Sequence, residues 1–411
     1  MKDVVRITAP QGPLQGTVNL PASKSVSNRV LIIRALSGAD FSIENQSDAD
    51  DTRLLDACIR NRQVDEYCGE GGTTFRFLLA LRACQGMRGN LTAQGPMLDR
   101  PVAPLVNALN DLGAGIEYLK GEGRASVVLS GNIMHGGEVT VQAGISSQFL
   151  SALMLIGPCL EGGLRILTIG KVVSGPYITM TAALMREFGC RVEVQDDSIS
   201  VEQGVYHPKS FLVPPDWSAA SVFYALVAAR TGSRFHFPAL GTDCYQGDRE
   251  LSRLMQRWGV QTQVDGGDVL IHSGSNPAGP LEVNFEDNPD LAQAFAVLAA
   301  VMNRPCILRG LSTLRIKETD RIAALVIELS KAGANVHVEV DRIQIGSGIT
   351  ARRITHMRFD AHGDHRMVMA LSLLCLTGEP VIIRGAHSIS KSFPCFFEQL
   401  SQLGFTVYYP D

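Results

Sequence analysis

A chain of 411 residues is longer than one ordinary core requires, so two domains are expected. Its 45% hydrophobic and 19% charged residues describe a globular protein, while a net charge of −4, 6% aromatic residues and the lack of any basic block argue against a nucleic-acid-binding surface. No apolar run reaches the ~18 residues of a membrane span, and Met1 to Arg6 has no signal-peptide core. Nine cysteines without a Cys-x-x-Cys pair read as reduced thiols, so a cytoplasmic protein without a disulfide frame is expected. His362 and His365 stand close in sequence but lack a second ligand pair, so no metal is expected.

Strands are expected around Val4 to Thr8 and Thr17 to Leu20. The stretch from Pro21 to Arg29 follows, with Ser23, Lys24, Ser25, Ser27 and Arg29 ahead of an apolar helical pattern that ends near Leu36. Small polar residues before such a pattern mark a helix N-terminus, where free N–H groups and the helix dipole favour an anion. From there one phrase recurs, a helix ending in glycine and then an alternating strand, at Gly113, Gly189, Gly259, Gly333 and Gly404. These glycines lie 70 to 76 residues apart. A second series of cap-like residues opens helices at Thr73, Ser146, Asp216, Asp290 and Asp364, spaced 70 to 74 residues, with Ser23 as an early sixth member.

Six units follow from these two series. The first is short, because its second helix, Thr52 to Arg60, is followed by neither a glycine stop nor a hairpin. The last is also short, and the N-terminal strands are expected to complete it. One domain should therefore be residues 23–214, inserted into a second made of 1–22 and 215–411, with Pro214-Pro215 at the return crossing. Three helix starts per domain facing an interdomain cleft would offer an anion about 0.3–1 kcal/mol each.

Several of these starts carry cations or hydrogen-bonding groups. In chain order the motifs are Ser23-Lys24-Ser25, Gly72-Thr73 with Arg76, Arg100-Pro101, Ser146-Ser147-Gln148, Ser174 to Tyr177, Lys317 to Arg321 (Lys-Glu-Thr-Asp-Arg), Asp364-His365-Arg366-Met367 and Lys391-Ser392-Phe393-Pro394. The sequence resembles the 5-enolpyruvylshikimate-3-phosphate synthase family, whose motifs occur in this order across almost the whole chain. The resemblance implies a two-domain inside-out α/β barrel of six βαβαββ repeats. It also implies transfer of the enolpyruvyl group of phosphoenolpyruvate to the 5-hydroxyl of shikimate 3-phosphate, with release of phosphate and without a cofactor, in the pathway to chorismate and the aromatic amino acids.

By the same resemblance, Lys24, Ser25, Arg29, Ser146, Ser147, Gln148, Ser174, Tyr177, Asp290 and Lys317 hold shikimate 3-phosphate. Lys24, Gly72, Arg100, Gln148, Arg321, His365, Arg366 and Lys391 hold phosphoenolpyruvate. Asp290 is expected to orient and deprotonate the 5-hydroxyl, with Glu318 and Lys24 serving the C3 proton. Arg76 should brace the Gly-rich turn. The expected partners are these two small molecules, with no nucleic acid or membrane, and the protein should be a monomer that closes on its substrates.

The chain departs from the family at Glu70, where Asn is usual. A carboxylate there would repel an anionic substrate, so Glu70 is expected to pair within its own domain and point away. Gly72 matches the glycine against which the herbicide glyphosate packs, making sensitivity the default expectation. Two rival readings are the sister transferase acting on UDP-N-acetylglucosamine and a non-catalytic phosphometabolite sensor. The first usually carries a cysteine before its Arg-Pro, where this chain has Pro96 to Asp99. The second would not need both Asp290 and Glu318 in an anion site.

Overall fold

Each of the five glycine stops takes up left-handed backbone, with φ between 77° and 96°. A residue with a β-carbon is strained there, so the sequence ends each helix at its glycine and turns directly into the next strand. The computed structural model describes residues 3–61, 65–275, 279–346, 349 and 357–410. Expectations that touch Met1, Lys2, residues 62–64 or Asp411 lie outside the described residues. Contacts divide the chain into two units, Ala22–Val213 and Met1–Pro21 with Pro214–Asp411. The expected limits fall one residue later at both crossings.

Among the described residues the inserted unit holds six α-helices: α1 (Lys24–Ser37), α2 (Asp50–Asn61), α3 (Gly72–Cys84), α4 (Ala103–Asp111), α5 (Ser147–Ile156) and α6 (Gly175–Glu187). Helices α1, α3 and α5 pack on one another. In α5 every residue but Gln148 is buried, and α3 is buried along most of its length. A helix that is apolar on all sides must be enclosed, so these three form the inner layer. By contrast α2 buries only Thr52, Leu55 and Cys58, a single stripe at a spacing of three.

Sheets cover the helices. Asp65–Tyr67, Arg88–Thr92, Ser126–Ser130 and Ile116–Tyr118 form one, in that spatial order. Gly137–Gln142, Leu164–Ile169, Ser198–Val201 and Val192–Val194 form the next. In both, the first pair is parallel and the others antiparallel. Among the described residues the shortened first repeat keeps a single strand, Ile43–Glu44, paired in parallel with Phe211–Leu212.

The other unit repeats the plan with α7 (Trp217–Ala229), α8 (Leu251–Gln256), α9 (Ala292–Val301), α10 (Arg321–Lys331), α11 (His365–Ser372) and α12 (Phe396–Gln402). Helix α9 packs on both α7 and α11. Residues 292–300 of α9 and residues 217–227 of α7 are all buried, so these again form an inner layer. The rings of Phe235, Phe237, Phe393 and Phe396 surround Phe223 at centroid distances of 6.2–6.3 Å. Burial of each such ring contributes about 1.5–3 kcal/mol.

The N-terminal strands correct one expectation. Val4–Thr8 does complete the last sheet, between Val381–Arg384 and Thr406–Tyr408. The second strand is Gln15–Thr17 rather than Thr17 to Leu20, and it pairs in parallel with Arg234–Phe237 of the fourth repeat. Phe211–Leu212 mirrors this by pairing with the first repeat. At each crossing the last strand before the chain leaves a unit pairs within that unit. Among the described residues no helix is long and apolar enough to cross a membrane.

Candidate active site

In the inserted unit, α1 begins where Ser23 accepts the N–H of Val26 at 3.5 Å. The next residue, Lys24, donates from Nζ to Asp51 Oδ2 at 2.9 Å, and both side chains are mostly buried. Asn28 Nδ2 donates to Thr73 Oγ1 at 2.9 Å, and Thr52 Oγ1 donates to Asn28 Oδ1 at 2.7 Å, tying the starts of α1, α2 and α3 together. Thr73 is thus a side-chain tether and not a cap. The N-cap of α3 is Gly71, and no side chain caps that helix. Such a start suits an anion.

Gly72 opens α3. A β-carbon placed there would stand 2.7 Å from Arg76 Nη1 and 2.9 Å from both Arg100 Nη1 and Gln148 Oε1. Three polar side-chain ends therefore converge on this residue, and only glycine leaves them room. Arg76 donates to Gln148 Oε1 at 2.5 Å and to the Pro101 carbonyl at 2.7 Å, with its guanidinium 5.0 Å above the Phe149 ring. It braces both the Gly-rich turn and the Arg100-Pro101 segment. Ser146 caps α5 by accepting the N–H of Gln148 at 3.3 Å. The Glu70 carboxylate packs on Gly95, at the head of the turn that leads to Arg100.

Arg29 is buried and makes four hydrogen bonds, to Thr181 Oγ1, the Ser25 carbonyl, Ser151 Oγ and the Tyr177 carbonyl, at 2.7, 2.9, 3.0 and 3.4 Å. Burial pushes its guanidinium down to about 10, against the opposing influence of Tyr177, so it remains charged at neutral pH. It joins α1 to α5 and α6. At the start of α6, Ser174 is left-handed at φ 55° and ψ 43°, and its side chain makes no capping bond. Non-glycine residues in this region are uncommon and often belong to functional turns.

The other unit gathers its predicted residues around Arg321, which is 1% exposed. Its Nε donates to Asp364 Oδ2 at 2.7 Å, Nη1 to Asp290 Oδ1 at 2.8 Å, and Nη2 to Glu318 Oε2 at 2.8 Å. Arg366 Nη2 reaches the other oxygen of Asp290 at 2.9 Å, and Lys317 Nζ lies 3.8 Å from Asp290 Oδ1. Arg321, Arg366 and Lys317 thus balance Asp290, Glu318 and Asp364. Asp364 also caps α11 by accepting the N–H of Arg366 at 2.8 Å. His365 is buried, with Nδ1 3.8 Å from Asp364 Oδ1. Lys391 Nζ donates to the Gly363 carbonyl at 2.9 Å.

Asp290 is not the helix cap that its place in the repeat suggested. It sits within a short 3-10 turn, Pro289–Leu291, and its carboxylate faces cations instead of helix N–H groups. Burial alone would push this carboxyl up. The charges of Arg366, Lys317 and Arg321, with the Arg321 hydrogen bond, outweigh burial and hold it well below the usual carboxylate range. For Arg321, burial opposes the charge, but Asp364, Glu318 and Asp290 drive its pKa above the ordinary value.

Sequence reasoning missed two acids here. Asp51 pairs with Lys24 from 27 residues away and belongs to neither repeat series. Asp248, 4% exposed, accepts from Ser218 Oγ and, at 2.9 Å, from Asn288 Nδ2, two residues before Asp290. Burial, and then the charge of Asp290, push Asp248 up to about 6, against the lowering influences of Ser218, Asn288 and Arg366. Among the described residues there is no group of three or more His, Cys, Asp or Glu side chains that could hold a metal ion.

Comparison with known proteins places the chain in a family. The family model described as EPSP synthase (3-phosphoshikimate 1-carboxyvinyltransferase) matches residues 8–66 and 60–400. The chain is 37% identical over 396 residues to a 3-phosphoshikimate 1-carboxyvinyltransferase of Bacteroides fragilis, covering 96% of each protein. It is 32% identical over 427 residues to the Haemophilus influenzae protein of the same name, covering 96% of this chain and 98% of that one. The EPSP synthase of Acinetobacter baumannii shares the fold, with a TM-score of 0.79 at 22% identity over 98% of this chain and 99% of that one. The enolpyruvyl transferase NikO of Streptomyces tendae gives 0.74 at 15% identity over 100% and 99%. The fold is therefore the two-domain inside-out α/β architecture of six repeats, and this chain belongs to the EPSP synthase (3-phosphoshikimate 1-carboxyvinyltransferase) family.

Proposed function

We propose that this protein transfers the enolpyruvyl group of phosphoenolpyruvate to the 5-hydroxyl of shikimate 3-phosphate, forming 5-enolpyruvylshikimate 3-phosphate and inorganic phosphate. The observation that carries this reading is the guanidinium of Arg321, shared by Asp290, Glu318 and Asp364 beside Arg366 and Lys317. A site built only to bind anions gains nothing from Asp290 and Glu318. A site that must also move protons requires such groups.

In this reading Lys24, Ser25, Arg29, Ser146, Ser147, Gln148, Ser174, Tyr177, Asp290 and Lys317 hold shikimate 3-phosphate. Arg29 contributes from beneath by fixing Tyr177 and Ser25. Lys24, Gly72, Arg100, Gln148, Arg321, His365, Arg366 and Lys391 hold phosphoenolpyruvate. Two phosphates and two carboxylates must be accommodated together, and preorganised cations and helix starts offset their repulsion.

The chemistry runs by addition and elimination. Glu318 and Lys24 deliver a proton to the methylene C3 of phosphoenolpyruvate while the 5-oxygen bonds to C2 and Asp290 takes the hydroxyl proton. Removal of a C3 proton then expels phosphate, restores the C2–C3 double bond and leaves the product's enol ether. An aspartate held well below its usual range is a weak base. Substrate phosphate and carboxylate groups would draw Arg366, Lys317 and Arg321 away from Asp290, and loss of those charges raises its basicity once both substrates are in place. The base is thus activated by the reactants themselves.

Gly72→Ala tests the phosphoenolpyruvate side. The added carbon meets only the far ends of flexible side chains, so the protein should fold, but Arg100 and Gln148 must retreat. The expected result is a rise of about tenfold in KM for phosphoenolpyruvate, because small displacements of positioning groups are costly. Calorimetric affinity for shikimate 3-phosphate should stay within about threefold. An unchanged KM would remove Gly72 and its converging side chains from the site.

A further inference from the structure

Glu328 belongs to none of the motifs above, yet its side chain is wholly buried and makes four hydrogen bonds. Oε1 accepts from Lys331 Nζ at 2.8 Å and from His362 Nε2 at 2.8 Å. Oε2 accepts from Lys331 Nζ at 3.0 Å and from the backbone N–H of Asp360 at 3.2 Å. A carboxylate can only accept from His362, so the imidazole carries its proton on Nε2.

These partners lie at the entry to the turn that presents Asp364, His365 and Arg366. His362 is left-handed at φ 52°, and Gly363 follows at φ 70°. A histidine in that conformation is strained and persists only where its surroundings over-determine it. The His362 N–H also donates to Asp360 Oδ1 at 2.7 Å. Glu328 lies seven residues after Arg321, about two turns along α10 and so on nearly the same face. One face of α10 therefore grips the turn twice, at Asp360 and His362 through Glu328 and at Asp364 through Arg321.

We propose that Glu328 is a positioning residue for phosphoenolpyruvate: by pinning His362 and Asp360 it fixes the turn that carries Arg366 and the Gly363 carbonyl held by Lys391. The proposal rests on the reading of Arg366 and Lys391 as phosphoenolpyruvate ligands. Glutamine at this position replaces one accepting oxygen with a donor. Turned one way, its N–H group opposes the Asp360 N–H; turned the other way, it reaches His362 only if the imidazole moves its proton to Nδ1, and in both cases charge-assisted bonds become weaker neutral ones, so the pin loosens while the volume is kept.

The test compares the full-length protein with Glu328→Gln and with His362→Gly, a variant that removes the imidazole bond but suits the left-handed backbone. Hydrogen exchange of the peptide spanning 360–366 is expected to quicken about tenfold in Glu328→Gln, with the inner helices unchanged. KM for phosphoenolpyruvate is expected to rise about tenfold, while kcat and shikimate 3-phosphate affinity stay within about threefold. His362→Gly should move KM in the same direction, and the double variant should fall short of the product of the two single effects, since they share the Glu328–His362 bond. Unaltered exchange at 360–366, or exchange quickened evenly throughout the unit, would overturn the proposal. So would a lowered melting temperature with KM unchanged. Exchange does not depend on turnover, so a wild type inactive on these substrates would count against the reaction, while the exchange rates at 360–366 would still decide whether the pin exists.

Discussion

Arg321→Lys is expected to lower kcat/KM by about 10³-fold, because one guanidinium now satisfies three carboxylates and an ammonium cannot reproduce that geometry. The three bonds to Asp364, Asp290 and Glu318 leave from different nitrogens at 2.7–2.8 Å. Lysine carries its charge at a single point and would pair well with one of these acids, most readily Asp364, which is fully buried. Asp290 and Glu318 would then each lose their bond to the guanidinium. Leaving charge uncompensated in a buried site costs about 3–5 kcal/mol, so unfolding free energy should fall as well. Steady-state kinetics with denaturant unfolding checks both effects. A loss of activity within tenfold would show that Arg321 supplies charge without geometry.

Asp290→Asn should lower kcat by about 10²- to 10⁴-fold, the range general bases usually contribute. Its effect on binding should have the opposite sign. Asp290 now neutralises part of the charge on Arg321, Arg366 and Lys317, and the amide would release it. KM for phosphoenolpyruvate should therefore hold or fall while turnover collapses. This split separates a base from a binding residue, whose loss would raise KM. A kcat within about fivefold of wild type would remove Asp290 from the proton transfers.

Much of this architecture can be read directly in the chain, because its two periodic signals have local causes. A left-handed residue follows the second helix of each repeat after the first, and glycine suits it best, so Gly113 to Gly404 mark those repeats. Ser23, Ser146, Asp216 and Asp364 cap helices through bonds to N–H groups two or three residues on. Where the cause is not local, the pattern misleads. Asp290 stands in register with the caps but faces arginines, and Thr73 stands in register but accepts from Asn28. Gln15–Thr17 could not be assigned to the fourth repeat from sequence because its partner, Arg234–Phe237, lies beyond the whole inserted unit.

The site shows the same division. Motif residues such as Glu318 and Arg321 are neighbours in sequence, and their mutual contact follows from one helix start. Asp51, Asp248 and Glu328 act on the motifs from 27, 40 and 34 residues away, through pairs with Lys24, Asn288 and His362. No spacing rule links such pairs. An isolated acid on a helix reads as a solvated surface residue until the fold places it, as it does Glu328, against a turn that needs holding.

The most direct test of the proposed reaction is phosphate release from phosphoenolpyruvate by the purified protein, measured with and without shikimate 3-phosphate. The expected result is release that requires shikimate 3-phosphate and is lost in Glu318→Ala. Binding of shikimate 3-phosphate without any phosphate release would contradict the proposed chemistry and leave a protein that recognises this metabolite without converting it.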